Sequence, residues 1–422
     1  MPLKLTALAF TVLLAACSGA SKELSTPPAA ANLAQPDSLS WWSRAAMNTF
    51  MRWSVWSGNR SGYITLFARD GVVVHADAVG FKDIAGDAPM TVDTHVRIAS
   101  MTKPITATVA MTLVQEGRLG LDDKVSDYLP VFENLTVATS HEPDAQGNYP
   151  ARPAQQPLLV RHLLMFSSGI GPGMDKTVPL VQHWDEHGIY EQPAGSLRER
   201  VENLAALPLF EEPGTRWRYG FSADVLAVVI EVITGQTIFE AMRERVLVPL
   251  GMENTRYFGP GDDPTPLATV YTQDENGELV EATPAYDRAW TPGGGGLVST
   301  ASDYMRFALM LSSGGEYRGT RILEEATLAD MVQLHMPEGV LADVDIDGLG
   351  WGLGMAVVAD EGATLTPDRT GDFWWSGYYG TTFLVSPSTG LTAVILTQNE
   401  PGEFSGLPYE VYVLQGLALA GL

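Results

Sequence analysis

The chain has 422 residues but one cysteine and only six lysines. A single cysteine excludes an internal disulfide. Positive charge is scarce: Lys and Arg total 26 against 50 Asp and Glu, for a net charge of −24. Phosphate binding needs clustered Lys and Arg, so a nucleic-acid partner is excluded. The acidic excess suits a soluble exported protein. No Gly-x-Ser-x-Gly occurs, which removes the nucleophile elbow of the α/β-hydrolases. The apolar run Leu5 to Ala16 is too short to span a membrane. There is no internal repeat. Most of the seven histidines are scattered, and no Ser-His-Asp triad is assigned.

What is present begins with an export signal: Lys4, then Leu5 to Ala16. It ends Leu14-Ala15-Ala16-Cys17, which resembles the lipobox of bacterial lipoproteins. That resemblance implies cleavage before Cys17 and acylation of its sulfur, and it accounts for the odd cysteine. An ordinary signal peptide with a chance cysteine is the alternative. Ser18, in place of Asp, points to outer-membrane sorting. The expected location is the periplasm or cell envelope, lipid-anchored to the outer membrane. Residues 18–40, rich in Ser, Ala and Pro, read as a flexible tether. Residues 41–422 then form one large domain.

Within that domain Trp41 to Trp56 reads as an amphipathic helix. Tyr63–Ala68 and Val72–Val79, joined at Arg69-Asp70-Gly71, read as a β-hairpin. At the far end Gly352–Ala359, Thr381–Val385 and Leu391–Thr397 read as strands, with a turn at 386–390. Leu407–Leu419 reads as a closing helix with Pro408 in its first turn. Helical patterns dominate roughly 105–290. Strands at both ends with helices between predict an α+β fold: one antiparallel sheet built from both termini, plus a mainly helical lobe.

Three stretches carry chemistry. Ser100-Met-Thr-Lys103 stands where an extended segment gives way to a helix with Ile105, Val109 and Leu113 on one face. Gly117 would cap its end, and Pro104 fits its first turn. Ser100 and Lys103 then share a face at the positive end of a helix. Ser100 as a plain N-cap is the bland alternative. Tyr219 lies in Pro213-Gly-Thr-Arg-Trp-Arg-Tyr-Gly-Phe-Ser-Ala-Asp224, on a loop before a helix starting near Ser222, where it either serves catalysis or anchors the helix. Phe373-Trp-Trp-Ser-Gly-Tyr-Tyr-Gly380 either lines a pocket or forms an aromatic patch at a sheet edge.

In this order the three resemble the serine β-lactamase and penicillin-binding-protein superfamily. The chain looks most like the class C β-lactamase-like carboxylesterases, the family VIII esterases. Ser100 and Lys103 match Ser-x-x-Lys, Tyr219 matches the tyrosine of Tyr-x-Asn, and Trp375-Ser376-Gly377 stands at the Lys-Thr-Gly position. Supporting segments are Val160–Leu164 with Ser168-Gly169, Gly293–Thr300 and Gly350–Gly354. The resemblance implies that Ser100 attacks an ester carbonyl and forms an acyl-enzyme. Lys103 and Tyr219 are the candidate bases, with coupled protons. The implied oxyanion donors are the backbone N–H groups of Ser100 and Tyr378. Phe221 replaces the amide of Tyr-x-Asn, and Trp375 replaces a lysine that would attract a carboxylate. With Ser376 and Gly377 they form the expected substrate pocket, suited to small neutral esters of short to medium acyl length. No cofactor is implied. β-Lactamase, D-amino-acid peptidase and acyltransferase activities share the same acyl-enzyme. An acylating cell-wall or β-lactam sensor is the non-enzymatic alternative. His183-Trp-Asp-Glu-His187 fits the inverted zinc-peptidase signature, but no third ligand stands out. It reads as a polar helix, and no metal is expected.

Overall fold

The computed structural model describes residues 39–171, 173, 177–187, 195–259, 261–283, 291–336, 348–363, 367–401 and 409–421. The predicted leader, Cys17 and the tether up to residue 38 lie outside them, as do Gly188, Leu407 and Pro408.

Three strands come from the N-terminal side: β1 (Gly62–Arg69), β2 (Val72–Asp83) and β3 (Ala88–Pro89). Five come from the C-terminal side: β4 (Leu349–Trp351), β5 (Ala356–Val358), β6 (Phe373–Gly377), β7 (Thr381–Ser386) and β8 (Leu391–Leu396). They join in one sheet, ordered β4-β5-β6-β7-β8-β1-β2-β3, with every pairing antiparallel. The seam between the two ends of the chain is β1 against β8, from Ile64 opposite Leu396 to Arg69 opposite Leu391. Asp70 and Gly71 turn the β1–β2 hairpin with positive φ at both residues, as such a tight connection requires.

Every residue of β7 and β8 is buried, which an antiparallel strand shows only when both its faces are covered. The helices that matter are α1 (Trp41–Trp56), α2 (Thr102–Gln115), α3 (Pro179–Glu186), α4 (Leu197–Ala205), α5 (Ser222–Thr234), α6 (Ala301–Ser312) and α7 (Tyr409–Gly421). Helix α6 packs on β7, β8 and β1, with Tyr304 and Phe307 against Phe383. Helices α1 and α7 pack on each other and on the sheet. No single helix among the described residues is long and apolar enough to cross a membrane.

Two expectations need correction. Gly352–Ala359 is not one strand: β4 and β5 flank a turn in which Gly354 has φ +97°, a conformation that breaks an extended run. A Cβ at Gly354 would sit 2.3 Å from the Ala107 Cβ, so this turn also lets the sheet close on α2. Phe373–Gly377 is not at a sheet edge: β6 is an interior strand between β5 and β7. Helix α2 differs from a one-sided amphipathic helix, being buried on all sides from Thr102 to Leu113. Its hydroxyls are accommodated by main-chain acceptors, with Thr108 bonding the Pro104 carbonyl at 2.8 Å and Thr112 the Val109 carbonyl at 2.7 Å.

Candidate active site

Ser100 lies in a single 3₁₀ turn, Ala99–Met101, that leads into α2. Ala99 just before it has φ +44°, and Phe166 opposite the site has φ +54°. For non-glycine residues this left-handed conformation is costly and persists only where the surroundings enforce it. Here they do: the Ile98 N–H bonds the Leu297 carbonyl at 3.0 Å, the Met101 carbonyl accepts from Tyr304 Oη at 2.8 Å, and Gly377 presses on Ile98 from the other side.

Three functional groups meet on this turn. Lys103 Nζ donates to Ser100 Oγ at 3.0 Å, and Tyr219 Oη donates to the same oxygen at 2.7 Å. Lys103 is 6% exposed and its Nζ lies 4.7 Å from the centroid of the Tyr219 ring. The Ser100 hydroxyl is thus held between two groups able to exchange its proton.

Tyr219 is fixed by its loop. The main chain on either side of it is stitched to residues 166–171, Arg218 N–H to the Phe166 carbonyl at 2.8 Å and Phe221 N–H to the Ile170 carbonyl at 3.1 Å. This needs two glycines face to face, since a Cβ on Gly220 would lie 2.4 Å from the Gly171 Cα. The Tyr219 ring stacks on Phe166 (centroids 5.7 Å apart, 13° between planes) and leans on Trp375 (5.7 Å). Trp351 meets Trp375 edge-on at 4.6 Å and sends its indole N–H to the Leu164 carbonyl at 3.1 Å. A buried aromatic cluster of Phe166, Trp217, Trp351 and Trp375 thus backs the Tyr219 ring and holds it in place.

The glycine segment from Gly293, which the sequence offered only as support for the resemblance and without a role, completes the site. The Gly294 carbonyl accepts from Lys103 Nζ at 2.6 Å, and the Gly294 N–H donates to Asp224 Oδ1 at 2.8 Å. Asp224 forms a buried ion pair with Arg200 of α4 at 3.3 Å. The same segment is pinned to α2 by Thr106 Oγ1 on the Gly293 carbonyl at 2.6 Å and by the Leu297 N–H on Thr102 Oγ1 at 3.3 Å. Gly293 must be glycine, because a Cβ would lie 2.3 Å from the Ala223 carbonyl oxygen. Tyr257 holds the Pro292 carbonyl; burial, with Asp224 and Glu231 nearby, pushes its phenol well above its usual range, so it remains a neutral donor. The available signals were the glycine run itself and Asp224, a carboxylate in the first turn of the largely apolar α5.

The remaining expected residues fall as follows. Gly377, the last residue of β6, approaches the nucleophile turn so closely that a Cβ would lie 2.2 Å from the Ile98 carbonyl oxygen and 2.3 Å from Thr381 Oγ1. The end of β6 therefore abuts the chain just before the Ser100 turn. Tyr378 has an exposed side chain, Ser376 pairs with Thr382, and Trp375 is only 9% exposed. Phe221 lies under the Arg200 guanidinium, 4.4 Å from its ring centroid, and caps α5. The His183 and His187 rings do share a face, with centroids 4.4 Å apart, but His187 Nδ1 bonds the His183 carbonyl at 2.8 Å. Tyr149 packs on His183 at 4.6 Å. No group of three or more His, Cys, Asp or Glu that could hold a metal ion gathers among the described residues.

An antiparallel sheet carrying a serine–lysine–tyrosine cluster at the start of a core helix defines a serine β-lactamase/DD-peptidase-like protein. The beta-lactamase family model matches residues 44–417, and the chain belongs to that family. It is 32% identical over 360 residues to Protein Rv1367c of Mycobacterium tuberculosis, covering 82% of this chain and 87% of that one. It is 31% identical over 366 residues to Esterase EstB of Burkholderia gladioli, covering 82% and 88%. Among solved structures it superposes on EstCE1, described as a hydrolase with promiscuous acyltransferase activity, with TM-score 0.74 and 28% identity over 90% of this chain and 99% of that one.

Proposed function

We propose that the protein is a serine hydrolase that cleaves short- to medium-chain carboxylic esters through an acyl-enzyme on Ser100. The observation that carries this reading is the convergence of Lys103 Nζ and Tyr219 Oη on Ser100 Oγ, at 3.0 and 2.7 Å. Attack by Ser100 on the ester carbonyl passes its proton to the Lys103–Tyr219 pair. The oxyanion develops against the main-chain N–H groups of Ser100 and Tyr378, each such donor being worth about 10²–10³ in rate. The pair returns the proton to the leaving alcohol, and water repeats the sequence to release the acid. Trp375 in place of a lysine removes the cation that would draw a carboxylate at that position, which favours neutral esters over β-lactams and D-amino-acid peptides. The similarity to an esterase and to a hydrolase of this fold supports the same choice. EstCE1 also carries the word acyltransferase in its description, so an alcohol acceptor could replace the water of the second half-reaction. The pattern Leu14-Ala-Ala-Cys17 supports placing the enzyme in the cell envelope on a lipid anchor.

The test assays the protein and its Ser100→Ala variant on p-nitrophenyl esters of increasing acyl length and on a chromogenic cephalosporin, with and without an added alcohol. Ester turnover lost in the variant, with little cephalosporin turnover, is the expected result. Ester turnover that survives Ser100→Ala would sink the mechanism. Fast cephalosporin turnover would overturn the choice of substrate, and a product carrying the added alcohol would assign the transferase branch.

A further inference from the structure

Helix α1 is chemically unlike the rest of the chain. Its 16 residues hold four of the ten tryptophans and two arginines but no acid, in a protein with 50 acidic residues. The buried side of the helix is Ser43, Met47, Met51 and Ser54. Trp42, Ala45, Thr49, Trp53 and Trp56 recur at three- and four-residue spacing and share the opposite stripe. Trp41 is 76% exposed, Trp56 58% and Trp42 43%, and Ala45 and Thr49 are exposed between them. Arg44 is exposed and Arg52 half-buried along the flanks of the stripe. Helix α1 packs on α7 and on β1 and β2, and among the described residues no element covers this face.

We propose that this face lies on a phospholipid bilayer surface, with the indoles at headgroup depth. Indole is the side chain best suited to that boundary, with an apolar body and one polar N–H. An acid-free helix with two arginines meets an anionic headgroup layer without the repulsion that the net charge imposes on the rest of the surface. The third argument is position. Helix α1 begins at Trp41, about two dozen residues after Cys17, and a coil of that length would reach roughly 25 Å. An anchor at Cys17 thus holds this face, and not the opposite side of the molecule, beside the bilayer. Anchor and indole face would lie on one side of the molecule, the anchor holding the chain at the bilayer and the indole face orienting it there. The proximity argument rests on the proposed anchor; the face itself does not depend on the ester reading.

The test is fluorescence quenching of the full chain on phosphatidylethanolamine/phosphatidylglycerol vesicles whose acyl chains carry bromine. Residues 1–40 contain no tryptophan, so the leader and tether are silent. The expected result is quenching of part of the emission, bounded by the share of four tryptophans in ten. In the variant Ala45→Glu, Thr49→Glu every tryptophan remains, both sites are exposed, and quenching falls at least about threefold, while turnover of a soluble ester is unchanged. Absence of quenching in the parent chain overturns the proposal, as does quenching that persists in the variant. A dimer in solution that the two glutamates dissolve, without quenching, assigns the face to a second copy and also overturns it. Mass analysis of the N-terminal peptide reads the anchor separately, so quenching by an unacylated chain would disprove the anchor and keep the face.

Discussion

Replacing Gly377 by alanine tests how β6 and the nucleophile turn are coupled. The added Cβ would stand 2.2 Å from the Ile98 carbonyl oxygen and 2.3 Å from Thr381 Oγ1. Ordinary carbon–oxygen contacts need about 1 Å more than this. Ile98 cannot yield easily, because its N–H is bonded to Leu297 and the following turn is held by Tyr304. The end of β6 must therefore retreat by about 1 Å, carrying Tyr378 with it. A displacement of that size at a reacting centre costs about 10² in rate, or about 2.7 kcal/mol of barrier. Because an oxyanion donor acts in the transition state, the loss belongs in kcat while KM changes little. Over-packing also lowers folding stability, by about 1–3 kcal/mol. The assay is steady-state hydrolysis of p-nitrophenyl butyrate beside urea unfolding, at a temperature where the variant is folded. A kcat within threefold of the parent would refute the reasoning, since the strand end would then be shown to move without consequence for the site.

Tyr219→Phe keeps the stacking on Phe166 and removes only the hydroxyl, so kcat should fall about 10²–10⁴ with the thermal midpoint nearly unmoved; a large drop in midpoint would mark Tyr219 as structural. Asp224→Asn leaves an acceptor for Gly294 but breaks a buried ion pair, and urea unfolding should show a loss of about 3 kcal/mol. Adding Arg200→Met to it should restore most of that stability but not the full kcat, which also depends on how Gly294 is held. Burial pushes the Asp372 carboxyl up to about 6. Between pH ~4 and ~6 the folded chain keeps this proton after the unfolded chain has lost it, so the contribution of Asp372 to stability falls as pH rises through that window. Asp372→Asn should therefore stabilise the fold by up to about 3 kcal/mol at pH 7.5 and by nearly nothing below pH 4; equal gains at both would refute the burial argument. Ester turnover should be unchanged by a metal chelator, and loss of it would return attention to His183 and His187.

Local chemistry made much of this legible. The helix at Trp41–Trp56, the hairpin at Asp70-Gly71 and the last two strands were readable because periodicity and turn residues agree there. Ser100 and Lys103 were readable because a three-residue spacing on a helix fixes their proximity whatever surrounds them. The rest of the site depends on contacts across the chain. The Gly294 carbonyl meets Lys103 over 191 residues of sequence, and a carbonyl group has no signature in a sequence. Arg200 and Asp224 belong to different helices, and nothing local pairs them. Gly352–Ala359 read as one strand because its apolar residues hide a turn that only the approach of Ala107 explains.

The seam between β1 and β8 sets the order in which this molecule can be made. Residues 62–69 emerge early from the ribosome, yet their partner strand follows about three hundred residues later. Until then β1 has β2 on one side and an open edge on the other. Pairings this distant in sequence form slowly, after the cost of closing a very long loop. A nascent chain would thus remain without its central sheet until synthesis is nearly complete. If the chain is exported as proposed, this delay would keep it threadable through a translocation pore for most of its synthesis. It also predicts that truncation anywhere before Leu391 removes the whole sheet, and not merely its last strand.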